Sequence, residues 1–221
     1  MIINVPFFFP IIEYQPENGL ALAEALCRQV NRLEQNDQHG GILSEGWSTG
    51  AHASSSEDYK KGGYTSFYTH QIMDLPEFVD VHHAASEAFA NYLKVIKRDN
   101  EPFYLPNSWV SSYGRGHFVP EHVHSFSHLS CVFYAAATAG TGRILFRDPA
   151  QSSYDMLQDQ SFTIFAPVYP LPPKIGHFVV FPSFMRHCTE PHHADEKRII
   201  FSANMILSRS YLGQRNQPGI G

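Results

Sequence analysis

Residues 103–136 read FYLPNSWVSSYGRGHFVPEHVHSFSHLSCVFYAA, and across them the spacing of apolar residues changes from helical to strand-like. Upstream, Leu22, Leu26, Val30 and Leu33 recur at steps of 4, 4 and 3 within residues 20–33. Phe78, Val81, Ala85, Phe89, Tyr92 and Ile96 do the same between about Pro76 and Lys97. Both stretches predict amphipathic helices with their apolar stripe toward a core. From residue 103 short apolar runs follow: FYLPNSWVSSY, GHFVPEHVH, LSCVFYAAA, GRILFRD, QSFTIFAP, GHFVVFPS and RIIFSANMIL. Turn residues part nearly all of them, notably Gly140, Gly142, Pro149 and the PLPPKIG segment. Seven short strands after two helices predict a mainly β, α+β protein, an antiparallel barrel or jelly roll with the helices packed on one face.

The remainder of the chain fits that frame. At 221 residues one domain is expected over 1–221, with 1–100 as helical support and lid region and 103–208 as the β core. Residues 2–9 suit an edge strand bounded by prolines. The polar stretch over 44–70, with Trp47, Tyr59, Tyr64 and Phe67, reads as a long exposed loop with a short strand, placed to act as a lid. A net charge of −5 gives no basic footprint for nucleic acid or an anionic membrane. Cys27, Cys131 and Cys188 are odd in number and widely spaced, so no disulfide framework is implied. The N-terminal MIINVPFFFPII lacks a leading cation and carries two prolines, a poor signal peptide and too short to span a bilayer. A cytoplasmic protein is the expectation.

The chemistry gathers in PEHVHSFSH, residues 120–128. If His122–Val123–His124 lies on a strand, period 2 turns both imidazoles to one face, their Cα atoms about 7 Å apart. A third ligand then has to come from a strand distant in sequence. GHFVVFPSFMRHCTEP offers His187 at a strand end, after the Pro182–Ser183 turn. His177 opens a strand just after a turn, and His192 and His193 sit in a polar loop that reads as solvated. Eleven residues beyond His187, Arg198 opens a strand whose alternation puts Arg198, Ile200, Ser202 and Asn204 on one face. A guanidinium inside an apolar barrel is costly without an anion, and a carboxylate would satisfy it through a charge-assisted fork. The competing reading is a rim arginine paired to an Asp or Glu. Tyr113 and Tyr134 are placed to line the same space, although single tyrosines more often belong to a core. No GxGxxG, GxxxxGK[ST] or CxxC occurs, which removes support for nucleotide binding and structural zinc.

The order HVH, SCVFY, GTGRILF, FPSFMRHCTEP, RIIFS resembles the Fe(II)- and 2-oxoglutarate-dependent dioxygenases, in particular their prolyl-hydroxylase-like branch. The resemblance spans roughly residues 103–208 and is weak before that, apart from the segment around Gly46 and Trp47. It implies a double-stranded β-helix with iron on an HxD/E…H triad. By position His122 and His187 match the outer ligands, Arg198 the residue that takes the distal carboxylate of 2-oxoglutarate, and Ser202 its hydroxyl neighbour. Tyr134, and after it Tyr113, match tyrosines that bond the co-substrate. The resemblance further implies O2 as oxidant, succinate as co-product, and hydroxylation of a small-molecule or peptidyl substrate.

One position departs: His124 stands where the family keeps a carboxylate. Three arrangements remain open, a three-histidine iron site, a carboxylate supplied by Asp148 or Glu121, or metal binding without this chemistry. A cupin-type three-histidine enzyme that ignores 2-oxoglutarate is the main alternative, and a non-catalytic jelly-roll binding protein is another. All ligand imidazoles must be neutral, so metal binding is expected to weaken below roughly pH 6.

Overall fold

The computed structural model describes residues 1–4, 9–36, 63–67, 72–149 and 168–208. Two strands, β1 (Ile2–Asn4) and β2 (Ile11–Tyr14), precede α1 (Gly19–Asn36). Then come β3 (Gly63–Thr65), two short 3-10 turns and α2 (Val79–Val95). The β core follows as β4 (Phe103–Tyr113), β5 (Leu129–Ala136), β6 (Ile144–Arg147), β7 (Val168–Leu171), β8 (Phe178–Pro182), β9 (His187–Thr189) and β10 (Arg198–Leu207).

All strand pairs are antiparallel, in a seven-stranded sheet ordered β1-β2-β8-β5-β10-β4-β3 and a three-stranded sheet ordered β7-β6-β9. The larger sheet has two working faces, and strand alternation assigns them. On β10, Ile199, Phe201, Ala203 and Met205 point to a core shared with Leu22, Leu26 and Val30 of α1 and Val81, Ala85, Phe89 and Tyr92 of α2. The opposite face, carrying Ile200, Val132, Tyr134, Val179 and Phe181, packs against Ile144 and Phe146 of the smaller sheet. The fold is therefore a double-stranded β-helix with helices covering one face, as the sequence predicts.

Several local expectations need correction. GHFVPEHVH does not form a strand: residues 114–128 run irregularly, with His122 held by an isolated bridge to His187. Pro120 supplies no N–H to a ladder, and Gly116 (φ 85°) reverses the chain ahead of it. The PLPPKIG segment is not all turn, because β7 takes in Pro170 and Leu171. The second helix begins as a 3-10 turn at Pro76 and becomes α-helical only at Val79, with Ile96 capping it and half-exposed. His192 is fully buried rather than solvated, its Nε2–H donating to the Glu196 carbonyl at 2.6 Å. Residues 5–8 of the expected edge strand, nearly all of the 44–70 loop and QSFTIFAP lie outside the described residues; of that loop the described part includes β3, the short strand expected there.

Candidate metal and co-substrate site

Backbone bonds carry the histidine segment onto β9. His122 and His187 exchange both N–H···O bonds at 3.0 Å, and the His124 N–H donates to the Ser183 carbonyl at 2.9 Å. Farther along, Ser183 N–H bonds His128 and His128 N–H bonds Met205. Phe126 takes a positive φ of 61° and is almost wholly exposed. That reversal ends any alternation begun at His122 and His124, so His128 leaves their face. Its Nδ1 instead accepts the Leu207 N–H at 3.2 Å.

The potential ligand atoms of His122, His124 and His187 all lie within 4.8 Å of one another. Each ring has its Nδ1 turned to an oxygen that can only accept: His122 to the Pro120 carbonyl at 2.8 Å, His124 to Asn204 Oδ1 at 2.6 Å and His187 to the Met185 carbonyl at 2.9 Å. In each neutral imidazole the proton therefore sits on Nδ1, and Nε2 presents a lone pair. The Nε2 atoms of His122 and His124 stand 3.2 Å apart. Two lone pairs at that distance repel unless a cation or proton lies between them. Imidazoles at about 2.0–2.1 Å from one ion, at angles near 90–110°, would be separated by ~2.9–3.4 Å. The donor set thus fits a first-row metal ion.

Burial keeps these rings neutral. It lowers the His122 imidazole below the usual histidine range and brings His124 down to about 4. His187 is pushed well below the ordinary value, first by burial and then by the two neighbouring imidazoles. Among the described residues the metal-competent group is these three alone. Glu121 is committed elsewhere, bonded to Arg147 at 2.7 Å and Arg186 at 3.4 Å, and Asp148 does not join the cluster either.

A cavity of about 360 Å³ extends from the histidines between the two sheets. Its inner end holds Arg198, Tyr113, Tyr134, Ile200 and Thr189; toward its mouth stand Trp109, Phe67 and Val123, the last two part-exposed. Arg198 is 2% exposed and has no carboxylate partner among the described residues. Its Nε–H is unsatisfied, and its remaining contacts are long, 3.4 Å to the Gly142 carbonyl and 3.4 Å to Thr189 Oγ1. The guanidinium stacks on Tyr113 at 4.4 Å. Burial lowers its proton affinity, which the two tyrosines partly offset. Ser202, buried two residues inward of Ile200, opens on the same cavity between Trp109 and Val132 in the sheet register. Tyr134 is raised to about 12 by burial, and Glu13, itself buried and paired to Lys174 at 2.6 Å, stands near it.

Every predicted site residue, His122, His124, His187, Arg198, Ser202, Tyr113 and Tyr134, therefore lines one cavity. Sequence reasoning named Asn204 on the inward face of β10 but gave it no role. It missed Trp109, Thr189 and Asn107 as site residues; the alternation of β4 was the available signal for all but Thr189.

Residues 107–204 match the model of a family described as "Putative 2OG-Fe(II) oxygenase". The matched segment runs from within β4 to within β10 and takes in all of the predicted site residues. No curated protein matches it in sequence. Among solved structures, a Pseudomonas putida prolyl-4-hydroxylase is similar at TM-score 0.57 and 15% identity, over 88% of this chain and 91% of that one. The non-heme alpha-ketoglutarate-dependent epimerase SnoN from nogalamycin biosynthesis gives TM-score 0.61 at 15% identity, over 96% and 86%. A Trichoplax adhaerens prolyl hydroxylase in complex with a hypoxia-inducible-factor peptide gives 0.57 at 13%, over 94% and 87%. At these identities the likeness shows a shared fold.

Proposed function

We propose that the chain is an Fe(II)- and 2-oxoglutarate-dependent dioxygenase that hydroxylates a small-molecule or peptidyl substrate and converts 2-oxoglutarate to succinate. One observation carries this reading. A single cavity holds three imidazoles with inward lone pairs and, deeper, a buried guanidinium with no carboxylate partner among the described residues. A three-histidine enzyme indifferent to 2-oxoglutarate has no use for the second feature. SnoN, in a further structure, is in complex with Fe3+ and alpha ketoglutarate, which supports the same pairing of metal and co-substrate for this fold.

In this reading His122, His124 and His187 hold the iron, and Arg198 with Tyr113, Tyr134 and Ser202 holds the distal carboxylate of the co-substrate. Bound iron and 2-oxoglutarate supply the activation of O2 and the oxidation of a C–H bond. The protein's share is orientation and desolvation. The fork of Arg198 matches a carboxylate bidentately, with its Nε–H free to give one of the two bonds. Tyr113 and Tyr134 remain protonated at neutral pH and so act as donors to that carboxylate. Ile200, Ile144 and Val119 make the inner wall apolar and strengthen those charge-assisted bonds. Toward the mouth, Trp109 stacks at a tilt over His124, centroids 5.6 Å apart, and meets Phe67 edge-on at 5.0 Å. These rings bound the space left for the substrate.

The test is succinate formation from 2-oxoglutarate with Fe(II) and no added substrate, comparing wild type, Arg198→Ala and His187→Ala. Turnover by wild type, with loss in both variants, supports the reading. Absence of both turnover and 2-oxoglutarate binding in wild type sinks it, and metal binding that ignores 2-oxoglutarate would point to the cupin-type alternative.

A further inference from the structure

A carboxylate ligand can offer either oxygen to a metal. An imidazole must hold one nitrogen protonated and the other bare, so a chain that replaces the carboxylate with histidine needs an acceptor behind the ring. His122 and His187 find theirs in backbone carbonyls two residues upstream. His124 does not, and its Nδ1 instead faces a side chain eighty residues away.

We propose that Asn204 is the positioning residue that makes the third imidazole a ligand, an inference that rests on the three-histidine metal reading above. Its Oδ1 accepts from His124 Nδ1–H at 2.6 Å and from Ser130 Oγ–H at 2.8 Å. Its Nδ2–H donates to Asn107 Oδ1 at 2.8 Å. Strand register explains the convergence. On β10, Asn204 pairs with Asn107 of β4 on one side and with Ser130 of β5 on the other. Ser130 Oγ lies 2.8 Å from Ser183 Oγ, and the Ser183 carbonyl takes the His124 backbone N–H. The result is a closed ring of bonds, His124 ring to Asn204 to Ser130 to Ser183 and back to the His124 backbone. Asn204, Ser130 and Ser183 are all buried. Trp109 covers the His124 ring itself.

The amide orientation decides the tautomer. With Oδ1 toward His124, the proton sits on Nδ1 and Nε2 is bare. With the amide turned, Nδ2 would donate to Nδ1, and the proton would move to Nε2, aimed at His122 Nε2 only 3.2 Å away. That second state is a histidine pair closed on itself and cannot take a metal through His124. Asn107 holds the amide in the first state by accepting from Nδ2. A neutral amide in this role also adds no charge to the site, unlike the carboxylate that commonly stands behind a ligand histidine.

The experiment uses Co(II) titration of the metal-free protein, read by its visible absorption, together with tautomer assignment by nitrogen-15 NMR of labelled histidines. Wild type is expected to bind Co(II) and to show His124 as the Nδ1–H tautomer before metal is added. Asn204→Leu, near in size but without an acceptor, is expected to weaken Co(II) binding about 10- to 100-fold and shift the tautomer toward Nε2–H. Asn204→Asp keeps an acceptor and should restore both readings. Ser130→Ala leaves Asn204 in place and should cost no more than a few-fold by the same scale. Unchanged Co(II) affinity and spectrum in Asn204→Leu overturns the proposal, as does an Nε2–H tautomer in metal-free wild type. Failure of wild type to bind Co(II) would instead refute the three-histidine reading, and His122 and His187 tautomers identical in all variants would confine the effect to His124.

Discussion

Replacing Arg198 with methionine should make the metal-free protein more stable while removing its hold on 2-oxoglutarate. The guanidinium is buried, and among the described residues its Nε–H has no partner and its two remaining bonds are stretched to 3.4 Å. What favours it there is stacking on Tyr113 at 4.4 Å, worth about 0.5–2 kcal/mol. Against this stands the desolvation of an unpaired charge, several kcal/mol even after relaxation, so an apolar chain of similar length should gain roughly 1–3 kcal/mol. For a chain of this size about 2–4 °C accompanies each kcal/mol, and Tm should rise by roughly 2–12 °C. The bound state reverses the sign. Truncating one partner of a buried charge pair costs about 2–5 kcal/mol, which weakens 2-oxoglutarate binding roughly 30- to 5,000-fold. Thermal unfolding of both proteins with Mn(II) in place of iron, with and without 2-oxoglutarate, reads both effects, since a bound ligand raises Tm by mass action. A variant that loses several degrees yet keeps the 2-oxoglutarate-induced rise would show that Arg198 is a structural brace and refute the reasoning.

Four further outcomes follow from the structure. Burial depresses the ligand imidazoles, His124 to about 4, so their neutrality and metal binding should persist well below pH 6, lower than side-chain reference values suggest; Co(II) binding followed from pH 7 to 5 checks this. Because the folded pKa is lowered, the associated stability of the metal-free protein is complete above about pH 6.5 and lost as pH falls toward 4, His124 alone contributing about 3 kcal/mol, which urea unfolding across that window would register. His124→Asp should retain the metal, since a carboxylate at the same place offers it an oxygen whatever the tautomer behind it; loss of Co(II) binding with the fold intact would remove position 124 from the ligand set. Gly142→Ala should destabilise strongly, because its Cβ would fall 2.1 Å from the Glu190 carbonyl oxygen and 2.8 Å from that of Pro191, prising β6 from the segment after β9; an unchanged Tm would show that this contact gives way freely.

The division between what sequence reveals and what it hides follows interaction range. Alternation is local, and it suffices to turn Arg198, Ile200, Ser202 and Asn204 toward one face of β10, where the structure puts them. Helical stripes are local too, which is why Leu22, Leu26 and Val30 are legible as core. The segment 114–128 is different. Its sequence looks like a strand, yet its partners are the turn and strand at 183–192, and only that pairing shows it to be an irregular strap with a single bridge at His122. His192 was hidden for the same reason, since it is buried by a backbone bond to His117 that no local pattern announces.

Site chemistry obeys the same rule one level up. Residue type and order bring out His122, His187 and Arg198, because ligands and counter-charges are scarce and their spacing is distinctive. Asn204, Asn107 and Ser130 are common residues, and their significance arises only from register. A one-residue slip of β10 against β4 would turn Asn204 away from His124 and Arg198 away from Tyr113 together, since both sit on the same face of the same strand. The histidine end and the guanidinium end of the cavity are thus set by one strand pairing, through Arg198 and Asn204 on the same face of β10. The acceptor that meets His124 Nδ1 is an inward position of the strand that also carries the guanidinium, so both ends depend on a single register.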